Sequence, residues 1–192
     1  MRPCVAACVR RAAWAGTATL LLGATPAWAV DIHVVAERQG EHYVVRASAE
    51  MGVPSEIAWE VITDYDNLEK FIPDMSDSHV VIREGNRVVV AQTGKARFLF
   101  FSRSIQVSLE VEETPFTRVT SRAVAGDFKE MEGSYVLEKQ TSGVMLRYDG
   151  RLVPDFFVPP LIGTRMVKGV VEGQFRAMVQ EIVRRAGKST ER

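Results

Sequence analysis

The sequence predicts an α+β fold: a curved antiparallel sheet of about seven strands around one long C-terminal helix, with two short helices after the first strand. Three observations carry this. In residues 105–112, Ile105, Val107, Leu109 and Val111 alternate with Gln106, Ser108, Glu110 and Glu112, the period of a half-buried strand. Residues 53–75, VPSEIAWEVITDYDNLEKFIPDM, read instead as two short helices joined by an acidic turn. Residues 160–186 keep helical spacing, with Val167, Val171, Phe175, Met178 and Ile182 on one stripe and Lys168, Glu172, Arg176, Gln180 and Arg184 on the other side. One amphipathic helix packed on an antiparallel sheet is an α+β arrangement.

The first 29 residues have the layout of a secretory signal. Arg2, Arg10 and Arg11 make a positive start, residues 12–24 are mostly apolar, and Ala27-Trp28-Ala29 supplies the small-x-small cleavage pattern. The apolar run is shorter than the roughly 20 residues of a spanning helix. Cleavage near Ala29 predicts a periplasmic or secreted protein with one domain over residues 30–187 and a disordered tail at 188–192.

In the body, residues 32–38 and 43–50 are Val-rich and flank Gln39-Gly40, a hairpin or a bent first strand. Pro54, Ser55 and Glu56 carry helix-start chemistry. Asp66-Asn67-Leu68-Glu69 has the form of a variant capping box and predicts a second helix, which Pro73 ends. Strands follow at 79–84 and 87–91 around the turn signal Gly85-Asn86, then at 105–112, 118–124, 128–139 and 144–153.

Composition narrows the function classes. Lys and Arg together number 24, as do Asp and Glu, and they are interspersed, so there is no basic footprint for nucleic acid. Both cysteines, Cys4 and Cys8, lie in the leader, so the body can hold no disulfide or thiolate metal site. His33, His42 and His79 lack metal-site spacing, and no nucleophile elbow, phosphate loop or dinucleotide fingerprint appears. No catalytic residue, metal or cofactor is therefore assigned. Asp64 and Asp66 sit in the turn between the short helices, where capping of backbone donors is the expected role. Arg147 and Arg151 fall on the strand face opposite Tyr148, the solvent side.

Pro54, Trp59, Asp64-Tyr65, Phe71-Ile72-Pro73, Gly133-Ser134-Tyr135, Pro154-Asp155-Phe156 and Pro159 occur in an order and spacing that resembles the START-like, helix-grip superfamily. That superfamily includes the plant allergen Bet v 1, polyketide cyclase/dehydratase-like proteins and coenzyme Q-binding proteins. Secreted bacterial cyclase/dehydratase-like members look especially similar. The resemblance spans residues 31–186. It implies that the long helix lies across the concave sheet and that an apolar ligand occupies the space between them. It does not fix an activity.

On that expectation Phe98, Phe100, Met131, Tyr135, Tyr148, Leu152, Phe175 and Met178 are candidates to line a cavity, although the same periodicity fits a solid core. Gly163, Gly169 and Gly173 make either space beneath the helix or close helix–sheet contact. The apolar connection at 153–162, VPDFFVPPLI, offers Phe156 and Phe157 as a cavity lip able to touch a membrane, or as a plug burying both rings; the plug is favoured. Three functions fit: a binding or carrier protein for a hydrophobic small molecule such as a lipid, quinone or polyketide-like ring; a cyclase/dehydratase-type enzyme acting on such a ligand; or an interaction module with a filled core. The first is preferred. A cavity of a few hundred Å³ separates the first two from the third.

Overall fold

The computed structural model describes residues 30–97, 102–159 and 161–190. The expected leader, Phe98, Phe100 and the last two residues of the expected tail lie outside the described residues. The chain runs β1 (Ile32–Gln39), β2 (His42–Met51), α1 (Ser55–Ile62), a 3-10 helix (Tyr65–Lys70), β3 (Met75–Glu84), β4 (Arg87–Arg97), β5 (Ser102–Thr114), β6 (Arg118–Gly126), β7 (Phe128–Gln140), β8 (Gly143–Pro154) and α2 (Gly163–Thr190). The strands form one antiparallel sheet in the order β1-β2-β8-β7-β6-β5-β4-β3. Among the described residues the count is eight, because the Val-rich segments before α1 form a hairpin of two strands with Gly40 at φ 63° in its turn. Only the connection from β2 to β3 crosses the sheet, and it carries α1 and the 3-10 helix.

The strand faces follow the period of two. In β2, Tyr43, Val45, Ala47, Ala49 and Met51 are buried while the residues between them are not. Val88 and Val90 of β4 and Val144 and Leu146 of β8 continue the same inner layer. Pairing is irregular in β3 between Met75 and Asp77 and between Val80 and Ile82, in β6 between Ala123 and Ala125, and in β7 between Phe128 and Glu130. Such irregularities increase local twist and curl a sheet.

The short helices are held by tertiary bonds, which corrects the expected capping roles. Pro54 precedes α1 and the 3-10 helix follows Asp64, with no side-chain cap at either start. Asp66 Oδ1 instead accepts the backbone N–H of Val80 at 2.7 Å, docking the 3-10 helix on β3. Asp64 accepts from Asn67 at 2.6 Å and from Arg185 of α2 at 2.7 Å. A charged donor makes a stronger bond than a neutral amide, so the guanidinium takes the carboxylate oxygen that would otherwise cap.

Helix α2 lies over the concave face and runs on to Thr190, beyond the expected end at 186. Its stripe divides in two. Phe175, Met178, Val179 and Ile182 are buried in the main core with Val61 and Ile62 of α1. Val167 and Val171, on the same stripe, are only partly buried. Arg185 fastens the buried half through Asp64 and by stacking over Phe71; within the helix Glu181, 8% exposed, accepts hydrogen bonds from Arg184 at 2.6 Å and from Arg185 at 2.7 Å and so holds Arg185 in place.

Hydrogen bonds from Arg184, and next from Arg185, hold the Glu181 carboxyl at about 2, against burial that pushes it up. The folded-state value lies below the unfolded one, so this stabilisation is complete above the ordinary value of 4.5 and fades as pH falls towards 2. Glu181→Gln lacks it. Urea denaturation should therefore show a gap between wild type and Glu181→Gln that is constant near neutral pH and closes as the medium is acidified through that window. A pH-independent gap would mean that the bonds to Glu181 do not fasten the helix.

Candidate functional site

Between the open half of α2 and the sheet lies a cavity of about 230 Å³. Its floor comes from inward-facing strand positions: Ile105 and Val107 of β5, Met131 of β7, Tyr148 and Leu152 of β8. Its roof is Met166, Val167, Val170 and Val171, consecutive turns of α2. Phe128, Phe156 and Val158 close one end, and Asp74, Gln92, Thr93, Lys95 and Gln174 form a polar edge. The volume is just below the 300–1,000 Å³ or so of ordinary ligand pockets, which suits a slim apolar group. The sheet and this half of the helix are therefore not packed solidly against each other, although the space falls short of an ordinary pocket.

Two glycines set the floor. Gly133 and Gly150 are paired across β7 and β8 on the inner face. A Cβ on Gly150 would stand 2.7 Å from the Tyr148 ring carbon Cζ, and one on Gly133 would stand 3.3 Å from the same ring. Their missing side chains let the Tyr148 ring lie along the sheet, where its centroid is 4.8 Å from that of Tyr135. Burial, and then the Asp149 charge, push the Tyr148 hydroxyl up to about 12, so it stays protonated and able to donate. Burial raises Tyr135 further, with Tyr148 adding to it.

The structure sorts the sequence-predicted candidates. Met131, Tyr148, Leu152 and Phe156 come together on the cavity wall. Phe175 and Met178 belong to the main core, and Tyr135 packs against that core. The expected plug of two rings is corrected. Phe156 turns in and packs edge-on to Phe128 at 6.1 Å under the Arg103 guanidinium, while Phe157 is 75% exposed. Neighbours in an extended chain face opposite ways, so one connection cannot bury both. Among the helix glycines, Gly163 is the close contact: a Cβ there would meet Tyr43 Oη and stand 2.8 Å from Val158. Gly169 is exposed with nothing within 4 Å, and Gly173 has ordinary contact with Pro73, so none is on the cavity wall.

Gln92 and Gln174 went unnoticed in the sequence, although both sit where the pattern asks for apolar residues. Gln92 follows Val88 and Val90 on the inner face of β4, and Gln174 falls on the α2 stripe beside Val171 and Phe175.

A larger groove, about 710 Å³, lies on the outer face of the sheet. Its charges pair with one another: Arg46 with Asp149 at 3.5 Å and Arg122 with Glu110. Exposed pairs of this kind satisfy one another and contribute little net energy. Arg147 and Arg151 are exposed on that face, bonded to Glu138 and His42. Among the described residues, no group of three His, Cys, Asp or Glu side chains could hold a metal ion.

A family model described as polyketide cyclase/dehydrase and lipid transport matches residues 51–184. No curated protein matches the chain. Human STARD10 superposes with a TM-score of 0.65 at 10% identity, over 88% of this chain and 78% of its own. A STAR-related lipid transfer protein from Xanthomonas axonopodis gives 0.64 at 14% identity, over 81% and 98%. The Zhui aromatase/cyclase from a Streptomyces species gives 0.61 at 13% identity, over 83% and 96%. At these identities the likeness is one of fold: the helix-grip arrangement of sheet and long helix.

The two phenylalanines should separate in stability measurements. Phe157→Ser should change unfolding free energy by less than about 0.5 kcal/mol, as for an exposed site. Phe156→Ala should cost roughly 1–3 kcal/mol through lost ring packing. Equal losses in urea denaturation would restore the two-ring plug.

Proposed function

This chain belongs to the polyketide cyclase/dehydrase and lipid transport family, and we propose that it binds and carries a slim hydrophobic molecule beneath the first half of α2. The observation that carries the reading is the cavity itself, walled by apolar side chains from five strands and one helix. Every 100 Å² of apolar ligand surface removed from water there contributes about 2.5 kcal/mol before the costs of association. A lipid chain, a quinone tail or a polyketide-like ring has the right chemistry. Tyr148 supports carriage over catalysis: kept protonated by burial, it is a hydrogen-bonding handle and not a base at neutral pH.

The reading extends to the mouth and to location. Phe157 and Leu161 are exposed apolar side chains on the connection that closes the cavity, with Arg165 exposed on the first turn of α2. That combination supports brief contact with a membrane during loading or release, through Phe157 with Leu161, while Phe156 stays in the wall. The N-terminal pattern ending at Ala27-Trp28-Ala29 supports work in the periplasm or outside the cell.

The direct test is titration with the neutral fluorescent probe N-phenylnaphthylamine. Saturable, blue-shifted emission is expected, and Val171→Trp, which fills the roof, should weaken it at least about tenfold without lowering the melting temperature. Absence of saturable binding, or binding unchanged in Val171→Trp, would reject the carrier reading. In a second assay Phe157→Ser should slow lipid transfer between vesicles while leaving probe affinity intact.

A further inference from the structure

The cavity wall contains two glutamines where the fold's own periodicities call for apolar side chains. Gln92 continues the inward row of β4 after Val88 and Val90. Gln174 stands on α2 among Val170, Val171 and Phe175. They reach the cavity from opposite sides, one from the sheet and one from the helix. Gln92 Nε2 donates to Ser78 Oγ at 3.3 Å, and Ser78 is only 3% exposed. A hydroxyl both donates and accepts, so Ser78 satisfies one end of the Gln92 amide, and the other end has no further hydrogen bond among the described residues. Gln174 makes no side-chain hydrogen bond among the described residues.

An amide is both donor and acceptor. A pure hydrocarbon would leave the Gln174 amide and the open end of the Gln92 amide unpaired, which is costly in an apolar enclosure. The ionisable groups at the same edge, Asp74 and Lys95, carry opposite signs, and their backbones are joined by a 2.8 Å hydrogen bond. These two residues lend the described edge one charge of each sign.

We propose that Gln92 and Gln174 form a recognition point for a neutral hydrogen-bonding group, a hydroxyl or a carbonyl, on an otherwise apolar ligand. The inference rests on the carrier reading and adds the chemical class of the head. A hydroxyl would donate to the carbonyl of one amide and accept from the N–H of the other; a carbonyl would accept from an amide N–H. The hydrocarbon body would lie towards Ile105, Met131 and Leu152. Sites built to hydrogen-bond a polar group reject analogues that lack it.

The test is displacement of bound N-phenylnaphthylamine by four compounds of one chain length: octane, octanol, the matching methyl ketone and octanoate. Area burial alone ranks octane first. The proposal instead expects octanol and the ketone to displace at least about fivefold better than octane, and better than octanoate. Gln174→Leu and Gln92→Leu should each bring octanol to within about twofold of octane while leaving octane unchanged. The wild-type series stands without either variant, should Gln92→Leu disturb folding through Ser78. Octane equal to or better than octanol, octanoate as the best competitor, or a preference that survives both substitutions would overturn the proposal and leave the carrier reading in place. Failure of the probe itself to bind would overturn both.

Discussion

Everything at this site depends on α2 being sealed into the core over its second half only. The half from Phe175 onward is buried there and tied by Arg185 to the turn at Asp64. The half before it spans the concave sheet with Val167 and Val171 only partly buried. A helix free at both ends would settle onto the sheet, because apolar surfaces in contact exclude water. Anchoring one end and propping the other on the Phe156–Phe128 pair and on Tyr43 beneath Gly163 keeps the space open.

The sheet makes the complementary contribution. Gly133 and Gly150 remove two side chains from the inner face, and Tyr148 fills part of that room without closing it. The same pair places one phenolic hydroxyl in an apolar floor. Placement of the Tyr148 ring thus comes from one local device, and the ion-paired outer face is left as a solvated surface.

Architecture was legible because it rests on periods that a sequence displays directly. The alternation at 105–112 lies within β5, and the helical stripe beginning at Val167 lies on α2. The site was legible only in part. Phe175 and Val171 share one stripe, yet the first is core and the second is cavity roof. Periodicity reports which face turns inward; it does not report whether the opposing wall is near enough to touch. Asp64 and Asp66 looked like caps because local chemistry favours that role. Arg185, distant in sequence, and Val80 supplied better partners. Gln92 and Gln174 left the opposite trace, a polar residue breaking an apolar row, and that signal was open to reading from the start.

The central claim is that ligand occupies the space beneath the open half of α2. Amide hydrogen exchange with and without bound N-phenylnaphthylamine tests it most directly. The account predicts added protection in residues 163–174 of α2 and around Met131 and Leu152, with little change from Phe175 onward, where the helix is already sealed. Protection confined to the outer face, around Arg46, Arg122 and Asp149, would contradict it.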